Sequence, residues 1–116
     1  MRWYTSLRRS AAFTRVRQQG RRLELPLLRL FLLERRAGPL RVGIAVPGSV
    51  GGAVTRNRVR RRILGALDCV PLNVRSALGA ADLIFIARPQ AGLSPYSALA
   101  ADVVGGLVRV SGGGSA

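Results

Sequence analysis

The 116-residue sequence has no histidine and no lysine, one cysteine and only five acidic residues. Each scarcity excludes something. Without histidine, the side chain best suited to acid–base work near neutral pH is missing. The lone Cys69 cannot close an internal disulfide and has no imidazole to activate it. Its expected role is a small buried hydrophobe in a reducing compartment. The acids (Glu24, Glu34, Asp68, Asp82 and Asp102) are scattered and form no convincing metal cluster or acid–base pair. No apolar run reaches the roughly 18 residues that span a bilayer. The opening MRWYTSLRRSAAF lacks the continuous apolar stretch of a secretory signal. A cytoplasmic location is therefore expected. If the chain serves an enzyme, the covalent chemistry is expected to reside elsewhere.

What is abundant is arginine. All 19 basic residues are arginine and the net charge is +14. The charge is uneven: residues 1–62 hold 16 arginines and two glutamates, whereas residues 63–116 hold three arginines and three aspartates. The first half therefore carries the whole excess, as suits a surface that meets a polyanion. Arginine forks onto phosphate with paired hydrogen bonds and stacks on bases. A GC-rich coding bias accounts for arginine over lysine, but not for base over acid. Hydrophobic residues make up 48%, enough for the core of one small domain over residues 1–110. The tail SGGGSA, residues 111–116, reads as disordered.

Periodicity predicts a helix over 7–18, a short strand over 21–25, a strand over 27–34 and another over 41–46. In the 27–34 strand Leu28, Leu30 and Leu32 form a core face, with Arg29 and Phe31 on the other side. Arg41, Gly43 and Ala45 make a basic, small face beside Val42, Ile44 and Val46. If these strands pair, Phe31 and Arg29 would stand over a shallow floor. After the loop PGSVGG comes a helix over 53–67, then an ambiguous segment, LDCVPLNVRSALGA. A buried strand over 82–88 follows. A last helix starts at Ser94-Pro95.

The 53–67 helix contains VTRNRVRRRIL, in which five of the seven residues from Arg56 to Arg62 are arginine. On a helical projection Val59, Ile63, Ala66 and Leu67 form the core stripe. Asn57, Arg58, Arg61 and Arg62 lie opposite, and Arg56 and Arg60 flank the apolar edge. Like-charge neighbours one turn apart cost about 0.2–0.5 kcal/mol each, so this helix wants a counter-charge. A solvated face usually alternates sign; this one does not. Gly51 and Gly52 would also let its free N–H groups approach a phosphate.

RVGIAVPGSVGGAVTRNRVRRRIL (41–64) resembles the bacterial ribonuclease P protein subunit. The matching residues are Arg41, Val42, Gly43, Gly51, Ala53, Val54, Arg56, Asn57, Arg58, Arg60 and Arg61. Phe13 and Gly20 fit the family's first helix, DLIFIARP its last strand and SPYSALAADVVGGL its C-terminal helix. The family's paired basic residues before V-G are Gly48 and Ser49 here, and Arg62 is an extra charge. The resemblance implies an α+β fold, an α-β-β-β-α-β-α two-layer sandwich with a left-handed β-α-β crossover, against the usual rule. It implies RNA binding through Arg56, Asn57, Arg58, Arg60 and Arg61, and the extra Arg62 on the same helix is expected to join them. It also implies a cleft holding the 5′ leader of precursor tRNA, lined by Phe13 and Phe31; the strand alternation independently sets Arg29 beside Phe31 on that face. The implied partners are ribonuclease P RNA and precursor tRNA, with no membrane and no small-molecule substrate. The implied chemistry belongs to an RNA that requires Mg²⁺, with no cofactor on the protein. The alternatives are a small ribosomal or other structural RNA-binding protein, and a membrane-surface protein using arginine on anionic lipid.

Overall fold

Two apolar strands organise the molecule. Leu28–Glu34 and Ala81–Ala87 pair antiparallel along their full lengths, from Leu28 opposite Ala87 to Glu34 opposite Ala81. In the computed structural model, which describes residues 2–8 and 10–113, they are β3 and β5 of a five-stranded sheet ordered β1-β4-β5-β3-β2. The other strands are β1 (Thr5–Ser6), β2 (Arg21–Glu24) and β4 (Arg41–Ala45). Strand β4 runs parallel to both β1 and β5. The helices are α1 (Ser10–Gln19), α2 (Ala53–Leu67), α3 (Leu72–Leu78) and α4 (Tyr96–Gly113). Because β4 and β5 are parallel neighbours, the chain must cross over between them, and it does so through α2 and α3.

The pleat divides the strands as their alternation predicts. Leu28, Leu30, Leu32, Val42, Leu83 and Phe85 face the main core, joined by Val59, Ile63 and Leu67 of α2 and Leu99, Val103 and Leu107 of α4. Phe31 and Ile84 point the other way and pack with Leu7, Ala12 and Val16. The sheet and the α2–α4 layer make the expected α+β sandwich, and α1 crosses the opposite face. Gly20 lets the chain turn tightly from α1 into β2: a Cβ there would sit 2.6 Å from the Val16 carbonyl oxygen and 2.7 Å from that of Leu32.

Four differences from the sequence reading have physical causes. Strand β1 is too short to show periodicity; its pairing to β4 defines it. The ambiguous segment folds as α3 because Pro71 starts a helix and Gly79, at φ 61°, ends it. Helix α4 continues through 111–113 of the expected tail, and residues 114–116 lie outside the described residues. Cys69 is exposed rather than buried, because it follows α2 at the turn and the core stripe ends at Leu67. No helix among the described residues is long and apolar enough to cross a membrane.

Candidate nucleic-acid interface

Helix α2 turns its basic residues outward because its apolar stripe is consumed by the core. Val59, Ile63, Ala66 and Leu67 are all fully buried. Its first turn carries no acid and no side-chain cap at Gly52, which leaves backbone N–H donors open. Gly51, at φ 153°, shapes the preceding turn, where a Cβ would lie 3.0 Å from Thr55.

The arginines divide into three groups. Asn57, Arg60 and Arg61 are exposed. Arg58 and Arg62 are half-buried because they reach the loop before α4: Arg58 donates to the Gly92 carbonyl at 3.5 Å and Arg62 to that of Ser94 at 3.2 Å. The helical projection places this second pair on an open face. Loop 89–95 folds back against α2, a contact no helical wheel contains. Arg56 is half-buried, and its Nε is buried without a hydrogen-bond partner.

None of these arginines is neutralised within the described chain. The ion pairs lie elsewhere: Glu24 meets Arg22, Arg29 and Arg88, and Asp82 meets Arg35 and Arg41. Asp82 is fully buried and takes Arg41 bidentately, with both N–O distances at 2.7 Å. That hydrogen bonding, against some desolvation, raises the Arg41 pKa above the ordinary arginine value. Asp102 accepts the Leu27 N–H at 2.7 Å and so ties α4 to the start of β3. With these acids occupied, the positive field of α2 is left for a partner.

On the opposite sheet face, Phe13 lies over Gly43. A Cβ at position 43 would come within 2.5 Å of the Phe13 ring, so glycine is what admits it. Phe13 is half-buried, in the first turn of α1. Phe31 shares that face but is only 6% exposed, held among Leu7, Val16 and Ile84. Its edge lines a groove of about 340 Å³ with Thr14, Arg17, Gln18 and Arg22. Arg29 sits beside it on β3, bound to Glu24 at 2.8 Å. Sequence reasoning missed Arg17, Gln18 and Arg22; the first two follow Val16 on the solvent side of α1, where a helical projection places them. Among the described residues no group of three or more acidic, cysteine or histidine side chains could hold a metal ion.

This combination, an acid-free arginine helix on a parallel crossover and an aromatic groove behind it, has relatives. A family model for ribonuclease P matches residues 1–111. The chain belongs to the ribonuclease P protein family. It is 39% identical over 98 residues to the ribonuclease P protein component of Chloroflexus aurantiacus, covering 84% of this chain and 70% of that one. It is also 39% identical over 119 residues to the Streptomyces bikiniensis ribonuclease P protein component, covering 94% of each. The Staphylococcus aureus RNase P protein superposes with a TM-score of 0.75 at 20% identity, over 96% of both chains. The Thermotoga maritima RNase P protein gives 0.74 at 18% identity, over 90% of this chain and 96% of that one. At those identities the superpositions speak for the fold; the sequence matches carry the family. Ribonuclease P membership places the chain among the protein components of a tRNA-processing enzyme and implies an RNA partner.

Proposed function

We propose that this chain binds the catalytic RNA of ribonuclease P through α2 and holds the 5′ leader of precursor tRNA against the Phe13–Phe31 face, assisting 5′-end maturation of tRNA. The observation that carries the proposal is the set of α2 arginines with no acid to neutralise them. Arg56, Arg58, Arg60, Arg61 and Arg62 would each meet a phosphate and release its counterion, so affinity should fall steeply with salt. Asn57, exposed between them, would hydrogen-bond to the same backbone. Phe13, half-buried on α1, would stack on single-stranded leader bases, a contact worth about 1–3 kcal/mol per base and tolerant of sequence. Arg17 and Arg22 in the Phe31 groove, with Arg29 nearby on β3, would steady the leader's phosphates. Mg²⁺ held by the RNA subunit would supply the hydrolytic chemistry, and this chain's side chains would bind and orient. Family membership favours this reading over a ribosomal or membrane-surface protein.

The test mixes the protein with its cognate ribonuclease P RNA and precursor tRNA at low Mg²⁺. The expected result is a lower Mg²⁺ requirement for cleavage and tighter binding of precursor than of mature tRNA. If the protein produces neither effect, the proposal is wrong. Phe13→Ala is a cleaner probe of the leader cleft than Phe31→Ala, because Phe31 also supports Val16 and Ile84.

A further inference from the structure

A second groove lies on the α2 side of the sheet, at the β1 edge. It has a volume of about 360 Å³, and its walls come from β1, the end of β1 toward α1, strand β4 and α2. Its floor is apolar: Val42, Ile44 and Leu64, of which Ile44 and Leu64 are half-buried; Leu7 borders it only at its β1 end, because its side chain packs with Phe31 and Ile84 on the other face. Around it stand Arg2, Arg8 and Arg60, all exposed, and among the described residues no acidic side chain lines it. Arg2 is held at the rim by stacking on the buried Tyr4 ring, 5.6 Å from its centroid. Arg60 belongs at once to this groove and to the arginine helix, so the two surfaces are continuous.

A slot with an apolar floor and three cations at its rim suits a ligand with a flat apolar body and anionic flanks. A single unpaired nucleotide has that form: its base lies on aliphatic floor and its phosphates meet guanidinium groups. The volume falls near the lower end of ligand-sized cavities, about 300–1,000 Å³. Position identifies the RNA. The groove includes Val42 and Ile44, which face the helix layer, whereas Phe31 lines the opposite sheet face. A strand bound at Phe31 is therefore separated from it by the sheet, while an RNA docked on α2 reaches it through Arg60.

We infer that this groove receives one unpaired nucleotide of the RNA subunit, turned out of its stack beside the RNA segment that α2 grips. The inference rests on the functional reading above. It would make α2 binding sensitive to local RNA structure as well as to charge.

Ser6 lines the groove and is exposed, so it can be changed without touching the core. Ser6→Leu should fill the slot. Binding to the cognate RNA subunit should weaken about 5- to 150-fold, the stacking of one base. The dependence of affinity on salt should keep its slope, because no phosphate contact is removed. Arg8→Ala should instead lower that slope by about one phosphate's share, roughly 0.7–0.9. Ser6→Cys carrying a photo-crosslinker, in a Cys69→Ser background, should attach to one unpaired position of the RNA subunit. Unchanged affinity of a folded Ser6→Leu protein, or crosslinking to the leader or to duplex alone, overturns the inference. A wild-type chain that fails to bind the RNA subunit refutes the functional reading itself, so the two failures are distinguishable.

Discussion

Arg61→Ala separates binding charge from folding charge. Arg61 is exposed and makes no hydrogen bond or ion pair among the described residues. Its close charged neighbour on the helix is Arg58, three residues earlier, so removing it relieves about 0.2–0.5 kcal/mol of repulsion. Alanine is also a good helix former. The variant should therefore be as stable as the parent or slightly more so, by thermal or urea unfolding followed by circular dichroism. RNA binding should respond oppositely. Losing one phosphate contact lowers the slope of log affinity against log salt by about 0.7–0.9, so the parent's advantage shrinks about five- to eightfold for each tenfold rise in salt. Fluorescence anisotropy with the RNA subunit across a salt series reads this directly. Arg62→Ala is the contrasting case: it also loses the 3.2 Å bond to Ser94. That should cost about 0.5–1.5 kcal/mol of stability. An Arg61→Ala protein with an unchanged slope would put that face of α2 outside the RNA interface and refute the reasoning.

Asp82→Asn leaves two guanidinium groups without their carboxylate. Each retains a quarter to a third of its side-chain exposure (25% for Arg35, 31% for Arg41). The loss should sit at the lower end for broken buried pairs, about 3 kcal/mol, with a fall in Tm of roughly 10 °C; a shift under about 2 °C would show the pair to be idle. Gly43→Ala drives a methyl into the Phe13 ring and should cost about 1–3 kcal/mol. It should also reduce discrimination between precursor and mature tRNA, and retention of both properties would mean that Phe13 moves freely. Burial raises the Tyr4 pKa above the usual tyrosine range, Arg2 opposes it and Asp68 reinforces it. The folded state thus holds this proton more tightly than the unfolded chain, so the contribution is full below about pH 10 and lost as pH rises through the folded-state value. In a Tyr96→Phe background, since Tyr96 is raised as well, Tyr4→Phe should flatten the alkaline fall in stability measured by urea unfolding.

How legible each part was depended on how local its cause is. The α2 boundaries and its core stripe follow from spacing alone, because a helix of 15 residues sets four apolar side chains on one face. Leu28, Leu30 and Leu32 were placed correctly by alternation, and the same rule put Phe31 on the reverse face. How much of Phe31 remains open was not legible, since its cover is α1, which arrives from earlier in the chain. The Gly43 contact with Phe13 joins residues 30 apart, and nothing near either position announces it.

Composition and pattern alone set the charge asymmetry, the lack of histidine, the α+β alternation and the arginine helix with its family resemblance. These depend on residue identity and on periods of two and 3.6, which need no partner. Long-range packing set the rest. It assigned Glu24 and Asp82 to arginines outside α2, and so left the helix unneutralised. It turned Arg58 and Arg62 toward loop 89–95, and it brought Arg2, Arg8 and Arg60 around one apolar slot. Charge counts are additive along a chain, but which charge meets which is a matter of distance, and distance exists only once the sheet has ordered its strands.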